Sequence, residues 1–270
     1  MTPLTFTLKI NPAQRIDLAP LSTHLIKGLA VTKINKISLI SGNRKLCVDE
    51  VFNVSGTDTQ DIIFKNSCAK LDSIGREMES GNVTVKGDAG AYLGIMMKGG
   101  AIKVTGNTEL FTACEMNKGD IIIEGNVGDF LGGALPGNKN GMRGGTVIVK
   151  GNVGQRLGDH MRRGIILVEG SAGDYCGSRM VAGTIAVMGD TGKYLGYAMC
   201  RGSILLWRQP KLGPTFNDCG IHTFSFLRLL FSSFKGLDSK FARQDAVFGR
   251  ARRYGGDVSG LGRGEVLVKA

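Results

Sequence analysis

The sequence predicts an all-β protein built as a coiled parallel β-helix of about seven turns, with an N-terminal cap and a C-terminal extension. Three observations support this fold class. The 270 residues include 41 glycines, roughly twice the 7% share of globular proteins. These glycines recur at a fixed spacing, and short alternating runs of Val and Ile lie between them. Only 6 prolines and a hydrophobic content of 42% exclude collagen and a disordered Gly-rich chain.

The glycines fall into two columns that share one period. Successive members are 19 residues apart, except for one interval of 26. The first glycine column contains Gly87, Gly106, Gly125, Gly151, Gly170 and Gly189. The second glycine column contains Gly100, Gly119, Gly145, Gly164, Gly183 and Gly202. We expect both columns to lie at corners of the coil, where glycine supplies a positive φ that a Cβ would oppose.

Methionines and β-branched residues follow the same period. Pairs such as Val83/Val85 and Ile102/Val104 alternate with period two, which predicts one short strand in each repeat. The unit Gly-x-x-Met-x-x-Gly-x-Ile-x-Val-x-Gly occurs seven times between residues 75 and 208, and the third copy carries a protruding insertion at residues 133–141. The methionine column contains Met78, Met97, Met116, Met142, Met161, Met180 and Met199. We expect it to fill the irregular space near a corner.

Phosphate-binding loops and two other kinds of repeat fit the glycine pattern less well. A phosphate-binding loop occurs once and precedes a long amphipathic helix, which none of these glycines does. Hexapeptide acyltransferases repeat in sixes, and calcium-binding nonapeptide repeats need an Asp in every unit. The residues after the first glycine column are instead mixed turn formers: Asp88, Asn107, Asn126, Asn152, Ser171 and Asp190.

Residues 1–60 do not repeat, and we expect them to cap the open first turn of the repeat domain, residues 61–208. Within the cap, Leu4–Leu8 alternates as an edge strand, and residues 18–29 contain a short helix. A hairpin is predicted around Gly42 and Asn43.

Residues 61–80 form a degenerate first turn in which Cys68 takes the place of a column glycine. Residues 209–270 form a C-terminal extension that is helical and basic. The repetition is expected to end at Gln209-Pro210, because proline cannot donate to a sheet ladder. Residues 224–231 predict a helix whose apolar residues cover nearly every side, so we expect it to be buried against the coil end or a partner.

The net charge is +11, and residues 201–270 contribute +7 of it. A polyanionic ligand or an acidic partner is the favoured interpretation of this basic tail; nucleic acid is disfavoured because no fold or aromatic platform supports it. No apolar run is long enough to span a membrane and no secretion signal is present, so we expect a cytoplasmic protein without membrane contact. The six cysteines include no Cys-x-x-Cys pair, which favours reduced, mostly buried thiols over a metal site.

Support for catalysis is weak. The three histidines are His24, His160 and His222. Asp159-His160 occurs in one corner only, and Asp218, Cys219 and His222 make a poor metal pattern. We therefore expect no catalytic and no metal-binding residues. An enzyme with a site at Asp159/His160 or Asp218/His222 stays open as the rival hypothesis.

The repeat units resemble those of the C subunit of formylmethanofuran dehydrogenase and, more distantly, the C-terminal glycine-rich domain of glutamate synthase. The segments Gly213–Gly220, Leu227–Leu230 and Gly260–Leu267 resemble the C subunit of the formyltransferase/hydrolase complex of methylotrophs. Repeat similarity covers residues 61–208 most strongly. The bacterial complex is the closer resemblance.

This resemblance implies a right-handed parallel β-helix without a cofactor of its own. It implies a hetero-oligomer with an amidohydrolase-like A subunit, a B subunit derived from a molybdopterin protein, and a formyltransferase D subunit. That complex moves a formyl group from formyl-tetrahydromethanopterin to a methanofuran-type carrier and releases formate in C1 oxidation. The alternatives are the C subunit of a tungsten or molybdenum formylmethanofuran dehydrogenase, which reduces carbon dioxide, and a glutamate-synthase-like regulatory or spacer domain.

We hypothesise a non-catalytic scaffold subunit whose coil wall clamps the catalytic subunits. Its basic tail, through Arg250, Arg252 and Arg253, would attract the polyglutamate arm of the carrier.

Overall fold

The computed structural model describes residues 2–244 and 248–270. The flank before the repeats holds β1 Pro3–Leu8, β2 Ile16–Asp17, β3 Ser38–Ser41, β4 Arg44–Cys47, β5 Phe52–Ser55, β6 Asp58–Ser67 and β7 Leu71–Asp72. The repeats hold β8 Asn82–Gly87, β9 Ala101–Val104, β10 Asp120–Ile123, β11 Arg143–Val149, β12 Arg163–Val168, β13 Thr184–Val187 and β14 Arg201–Leu206. The tail holds β15 Asn217–Thr223, β16 Arg250–Gly256 and β17 Arg263–Lys269. The α-helices are α1 Thr23–Ile26, α2 Val31–Ile34, α3 Val48–Val51 and α4 Ser225–Phe234, and short 3-10 helices lie at Ala19–Leu21 and Lys240–Arg243.

Thirteen of these strands form one sheet, in the order β15-β16-β17-β14-β13-β12-β11-β10-β9-β8-β6-β1-β5. Every neighbouring pair between β1 and β17 is parallel, and antiparallel pairs occur only at the two ends. A second sheet has the order β4-β3-β2-β7. The predicted all-β class is confirmed, and the main sheet is mostly parallel.

Equivalent residues of successive repeats stack on one another. Val83 pairs with Ile102, Ile102 with Ile121, and Ile121 with Val147, so the insertion lengthens one repeat without changing the register. These inward side chains are at most 3% exposed and belong to one core that continues into the N-terminal flank. A second row of parallel bridges joins the repeats from Ala89 to Thr191. The β-branched columns are thus the apolar interior that the alternation predicts.

The two glycine columns exist for different physical reasons. All six members of the second column have positive φ, as at Gly119 (φ +104°), and a Cβ there would also lie 2.7 Å from the Cε of Met97. In the first column only Gly87 has positive φ. The expectation of positive φ at both columns is therefore wrong for the first. There a Cβ would collide with the preceding repeat, as at Gly151, where it would lie 2.5 Å from the carbonyl oxygen of Gly125.

The methionine column occupies the predicted position near a corner. Each of its seven members is fully buried. From Met78 to Met180, each methionine methyl group occupies the space beside the second-column glycine of the following repeat. At Gly145, for example, an added Cβ would lie 2.6 Å from the Cε of Met116. The two columns are consequently coupled, because the methionine fills the space that the missing side chain leaves open.

The turn residues after the first glycine column form a side-chain ladder. The Oδ1 of Asp88 accepts the backbone N–H of Asn107 at 2.7 Å, and the Oδ1 of Asn107 accepts that of Asn126 at 2.8 Å. The same contact recurs through Asn152 and Ser171 to Asp190. These residues satisfy backbone donors in the corners, in keeping with their predicted role as turn formers.

The N-terminal flank continues the main sheet. Its predicted helix and hairpin are present as α1 and as β3 with β4. The prediction of an edge strand at Leu4–Leu8 is wrong, because β1 lies between β6 and β5, and β5 is the edge. Cys68 is not at the glycine position either. Ser67 pairs with Gly87, because the step from Ile62 to Val83 is 21 residues and the register then shifts by one between Lys65 and Ser67.

The C-terminal extension, predicted to be helical, holds three strands besides α4 in its described residues, and one of them continues the repeat register beyond Pro210. Strand β17 pairs in parallel with β14, with Gly202 opposite Gly264 and Ile204 opposite Val266. A Cβ at Gly264 would lie 2.5 Å from the Cε of Met199. Glycines of the second column have the same close contact with a methionine of the preceding repeat. Proline ends the continuous chain of repeats, and a later segment supplies one more strand.

The predicted helix of the tail is α4, and it packs on the outer face of the sheet rather than on its end. Leu227, Phe231 and Phe234 are fully buried against the outward row Ile148, Leu167, Ala186, Leu205 and Leu267. The helix is buried on its sheet-facing side only, since Leu229 is 76% exposed. Trp207 completes the cluster, and its Nε1 donates to Gln244 at 3.1 Å.

Candidate functional site

The three tail arginines lie on β16, where two of them are held by carboxylates of the same chain. The Nη2 of Arg252 lies 2.7 Å from Asp218, and the Nε of Arg253 lies 3.2 Å from Glu265. Arg250 is exposed at the start of the strand. The structure brings the three residues onto one strand but pairs Arg252 and Arg253 internally, which reduces the positive charge they present to a ligand.

Asp218, Cys219 and His222 share the exposed strand β15 but do not converge on one point. Asp218 is bound to Arg252, whose hydrogen bond lowers the pKa of that carboxyl below its ordinary value. The Nε2 of His222 lies 2.6 Å from the carbonyl oxygen of Cys219. Across residues 2–244 and 248–270, no group of three or more His, Cys, Asp or Glu side chains could hold a metal ion.

Asp159 and His160 belong to a buried polar cluster at a corner of the repeats. Asp159, only 3% exposed, accepts two hydrogen bonds from the guanidinium of Arg179 at 3.0 and 2.7 Å. The Oγ of Ser178 donates to the same carboxylate at 2.5 Å, and the Nδ1 of His160 lies 3.2 Å from it. Such a bidentate pair is costly to break because it would leave a buried charge without a partner.

This cluster lacks the geometry of a nucleophilic triad. In a triad the histidine contacts the nucleophile and the carboxylate contacts the far side of the histidine. Here Asp159 lies between Ser178 and His160, and the fully buried Ser178 donates to the carboxylate. The arrangement orients charged side chains at the corner and supplies no activated nucleophile.

The insertion, residues 133–141, lies beside this cluster and is anchored by the preceding repeat. Glu115, 3% exposed, accepts hydrogen bonds from the backbone N–H of Leu135 at 3.2 Å and from Asn138 at 2.6 Å. The Sγ of Cys114 donates to the carbonyl oxygen of Gly133 at 3.0 Å. Burial raises the pKa of the Cys114 thiol far above its ordinary value, so it stays protonated and keeps that donor.

A row of stacked side chains along the same corner was not predicted from the sequence. Its members have positive φ and lie outside the main core: Tyr92, Phe111, Phe130, Arg156, Tyr175 and Tyr194. The rings of Phe111 and Phe130 stack at 4.8 Å, and those of Tyr175 and Tyr194 at 4.7 Å. The 19-residue period could have revealed this row, but Arg156 interrupts the run of aromatic residues.

The six cysteines are free. Cys114 and Cys176 are buried, Cys219 is exposed, and the other three are half-buried, so fewer are fully buried than predicted. Burial raises the pKa of Cys176 to about 12. The two buried thiols therefore act as small apolar core groups.

The chain matches the family model of the GXGXG motif over residues 49–220. It is also similar to the C subunit of the formyltransferase/hydrolase complex Fhc of Methylorubrum extorquens, with 37% identity over 98% of this chain and 99% of that protein. The match extends through both flanks of the repeats. The chain belongs to the C-subunit family of this complex. The family predicted from the repeats and the tail motifs is thereby confirmed.

Membership of the C-subunit family is also supported by a solved structure. The crystal structure of the FhcABCD complex from Methylorubrum extorquens, which contains methylofuran, includes a chain that superposes with a TM-score of 0.88 at 36% identity. The superposition covers 98% of this chain and 99% of that one.

The similarity to the C subunit of the dehydrogenase covers a shorter segment of the chain. The C subunit of a tungsten-containing formylmethanofuran dehydrogenase 2 of Methanococcus maripaludis is 32% identical over 97 residues. The chain spans about a third of the length of this relative, 36%. The dehydrogenase match thus covers part of each protein, whereas the match to the Methylorubrum protein covers nearly all of both.

None of the helices in the described parts of the chain has the length and apolar character needed to cross a bilayer.

Proposed function

We propose that this chain is a non-catalytic structural subunit of a formyltransferase/hydrolase complex, which transfers a formyl group from formyl-tetrahydromethanopterin to a methanofuran-type carrier and releases formate. The observation that carries the proposal is the match over 98% of the chain to the C subunit of Fhc. The role in a tungsten-containing dehydrogenase has less support, because that match covers only 35% of the chain.

We propose the finer architecture on the same basis. A right-handed parallel β-helix of about seven turns over residues 61–208, capped by residues 1–60 and extended by residues 209–270, accounts for the parallel register and the row of bridges. The chain itself would bind no cofactor and would act in the cytoplasm. Its partners would be the A, B and D subunits, held along the wall of the coil.

Co-expression tests the scaffold role. We expect the full chain to copurify with its A and B subunits and to co-elute with them in size-exclusion chromatography, with the D subunit joining the assembly. Formyl transfer should be absent from the isolated chain and present in the assembly. A stable monomer without affinity for the A and B subunits would contradict the proposal. Turnover by the isolated chain, abolished by His160→Gln or His222→Gln, would support the rival enzyme.

We further propose that the β16 surface attracts the polyglutamate arm of the carrier. The support is the +7 charge of residues 201–270 and the exposed position of Arg250. The ion pairs to Asp218 and Glu265 limit how much Arg252 and Arg253 add.

Replacing Arg250, Arg252 and Arg253 together by Gln should weaken binding of a polyglutamate peptide by about tenfold and flatten its salt dependence. The measurement is fluorescence anisotropy of a labelled peptide on the full chain at several salt concentrations. The control replaces Arg162, Arg163 and Arg201, which are equally exposed, and removes the same charge. An equal loss of affinity in both variants would show that net charge alone causes the effect, and would contradict a specific role of the β16 surface.

A further inference from the structure

A cavity of about 330 Å³ lies between the insertion and the corner row, and nothing in the proposed scaffold role uses it. One side is apolar, with Phe111, Phe130, Leu135 and Pro136. The other side is polar, with Asn138, Arg156, Asp159, His160 and Arg179. Its volume is at the lower end of the range for ligand pockets, and an apolar wall facing a few polar groups is their usual composition.

Each wall of the cavity is anchored by one buried carboxylate, Glu115 on the loop side and Asp159 on the corner side. On the loop side, Glu115 fixes Leu135 and Asn138 from below. On the corner side, the buried Asp159 fixes the guanidinium of Arg179 through two hydrogen bonds and contacts the ring of His160. Because these contacts are made without a ligand, the polar groups would lose little freedom on binding one.

Arg156 is the cationic side chain of this cavity that forms no ion pair with a carboxylate of the described residues. Its guanidinium lies 4.7 Å from the ring centroid of Tyr175 and 5.7 Å from that of Phe130. Among the described residues no Asp or Glu lies within ion-pair distance of it, whereas the charge of Arg179 is satisfied by Asp159. The stacking holds the planar fork in place and leaves its N–H donors for an anion.

We propose that this cavity binds a carboxylate carried on an apolar stem. Arg156 pairs with the carboxylate, Asn138 and His160 provide further polar contacts, and the stem lies against Phe111, Phe130 and Leu135. The carboxylate has two possible sources with the same chemistry: a free small carboxylic acid, or a Glu or Asp side chain of a neighbouring subunit.

Phenylacetate and its neutral isostere phenylacetamide test the site on the full chain by ligand-observed NMR. We expect phenylacetate to bind at least tenfold more tightly than the amide, because the amide cannot form the charge-assisted pair. Arg156→Gln should weaken phenylacetate binding by about tenfold and Arg156→Lys by less, since lysine keeps the charge without the fork. The control Arg162→Gln removes an exposed arginine outside the cavity and should leave the affinity within about twofold.

The same probe distinguishes the two sources. Phenylacetate that binds the isolated chain but not the assembled complex identifies a partner side chain as the occupant, and Arg156→Gln should then also weaken assembly by about tenfold. Equal binding to chain and complex identifies a free acid. Equal binding of phenylacetate and phenylacetamide to the wild-type chain, or no phenylacetate binding up to about 20 mM, overturns the proposal, and neither result depends on a variant folding.

Discussion

Gly151→Ala is expected to lower the free energy of unfolding by about 3 kcal/mol, the upper part of the usual range for overpacking. A Cβ at this position would lie 2.5 Å from the carbonyl oxygen of Gly125 and 2.6 Å from the Oδ1 of Asn126. The Oδ1 of Asn126 belongs to the side-chain ladder, where it accepts the backbone N–H of Asn152. The N–H of Gly151 donates to the same carbonyl oxygen of Gly125 at 3.1 Å, so relieving the collision would stretch this hydrogen bond.

Chemical denaturation of the full chain measures this loss, with Gly236→Ala as the matched control. Gly236 has no atom within 4 Å of an added Cβ and no positive φ, so its replacement should change stability by less than about 0.5 kcal/mol. Similar denaturation midpoints for the two variants would contradict the steric origin of the first glycine column. A clearly lower denaturation midpoint for Gly151→Ala than for Gly236→Ala would support it.

The sequence predicts the repeat, the strands and the buried columns well, because each is repeated many times and every copy reports the same constraint. It does not reveal why a column must be glycine. Periodicity shows that a side chain is excluded, but a positive φ, as at Gly119, and a collision with the neighbouring repeat, as at Gly151, leave the same pattern. Only the position of the neighbouring backbone separates them.

Features that occur once were predicted less well. Strand β17 is a single copy of the repeat strand, separated from β14 by the tail, so neither period nor spacing marks Gly264 as a member of the second column. The pairing of Arg252 with Asp218 likewise depends on how β15 and β16 align. At the candidate site, the sequence singled out Asp159, His160 and the insertion. It missed Arg156 and Glu115, whose roles depend on stacking and on contacts between repeats.

Phe231→Ala is expected to cost about 3–5 kcal/mol, the usual range for truncating a buried Phe. Phe231 is fully excluded from solvent, and its ring lies 5.4 Å from that of Phe248, 5.6 Å from Phe234 and 6.1 Å from Trp207. It therefore connects α4 to the outer face of the sheet. The control Leu229→Ala lies on the same helix at a position 76% exposed, and should change stability by less than about 0.5 kcal/mol.

Hydrogen exchange measures where this loss occurs. The cluster around Phe231 is separate from the main core that contains the methionine column, so its disruption should release α4 locally before the sheet opens. We expect Phe231→Ala to abolish amide protection over Ser225–Phe234 while β9 and β10 keep theirs. Gly151→Ala should reduce protection in β10 and β11 instead. Equal loss of protection in α4 and β9 after Phe231→Ala would show that the tail and the repeats unfold as one unit, because the outer apolar row of the sheet would then couple the two clusters.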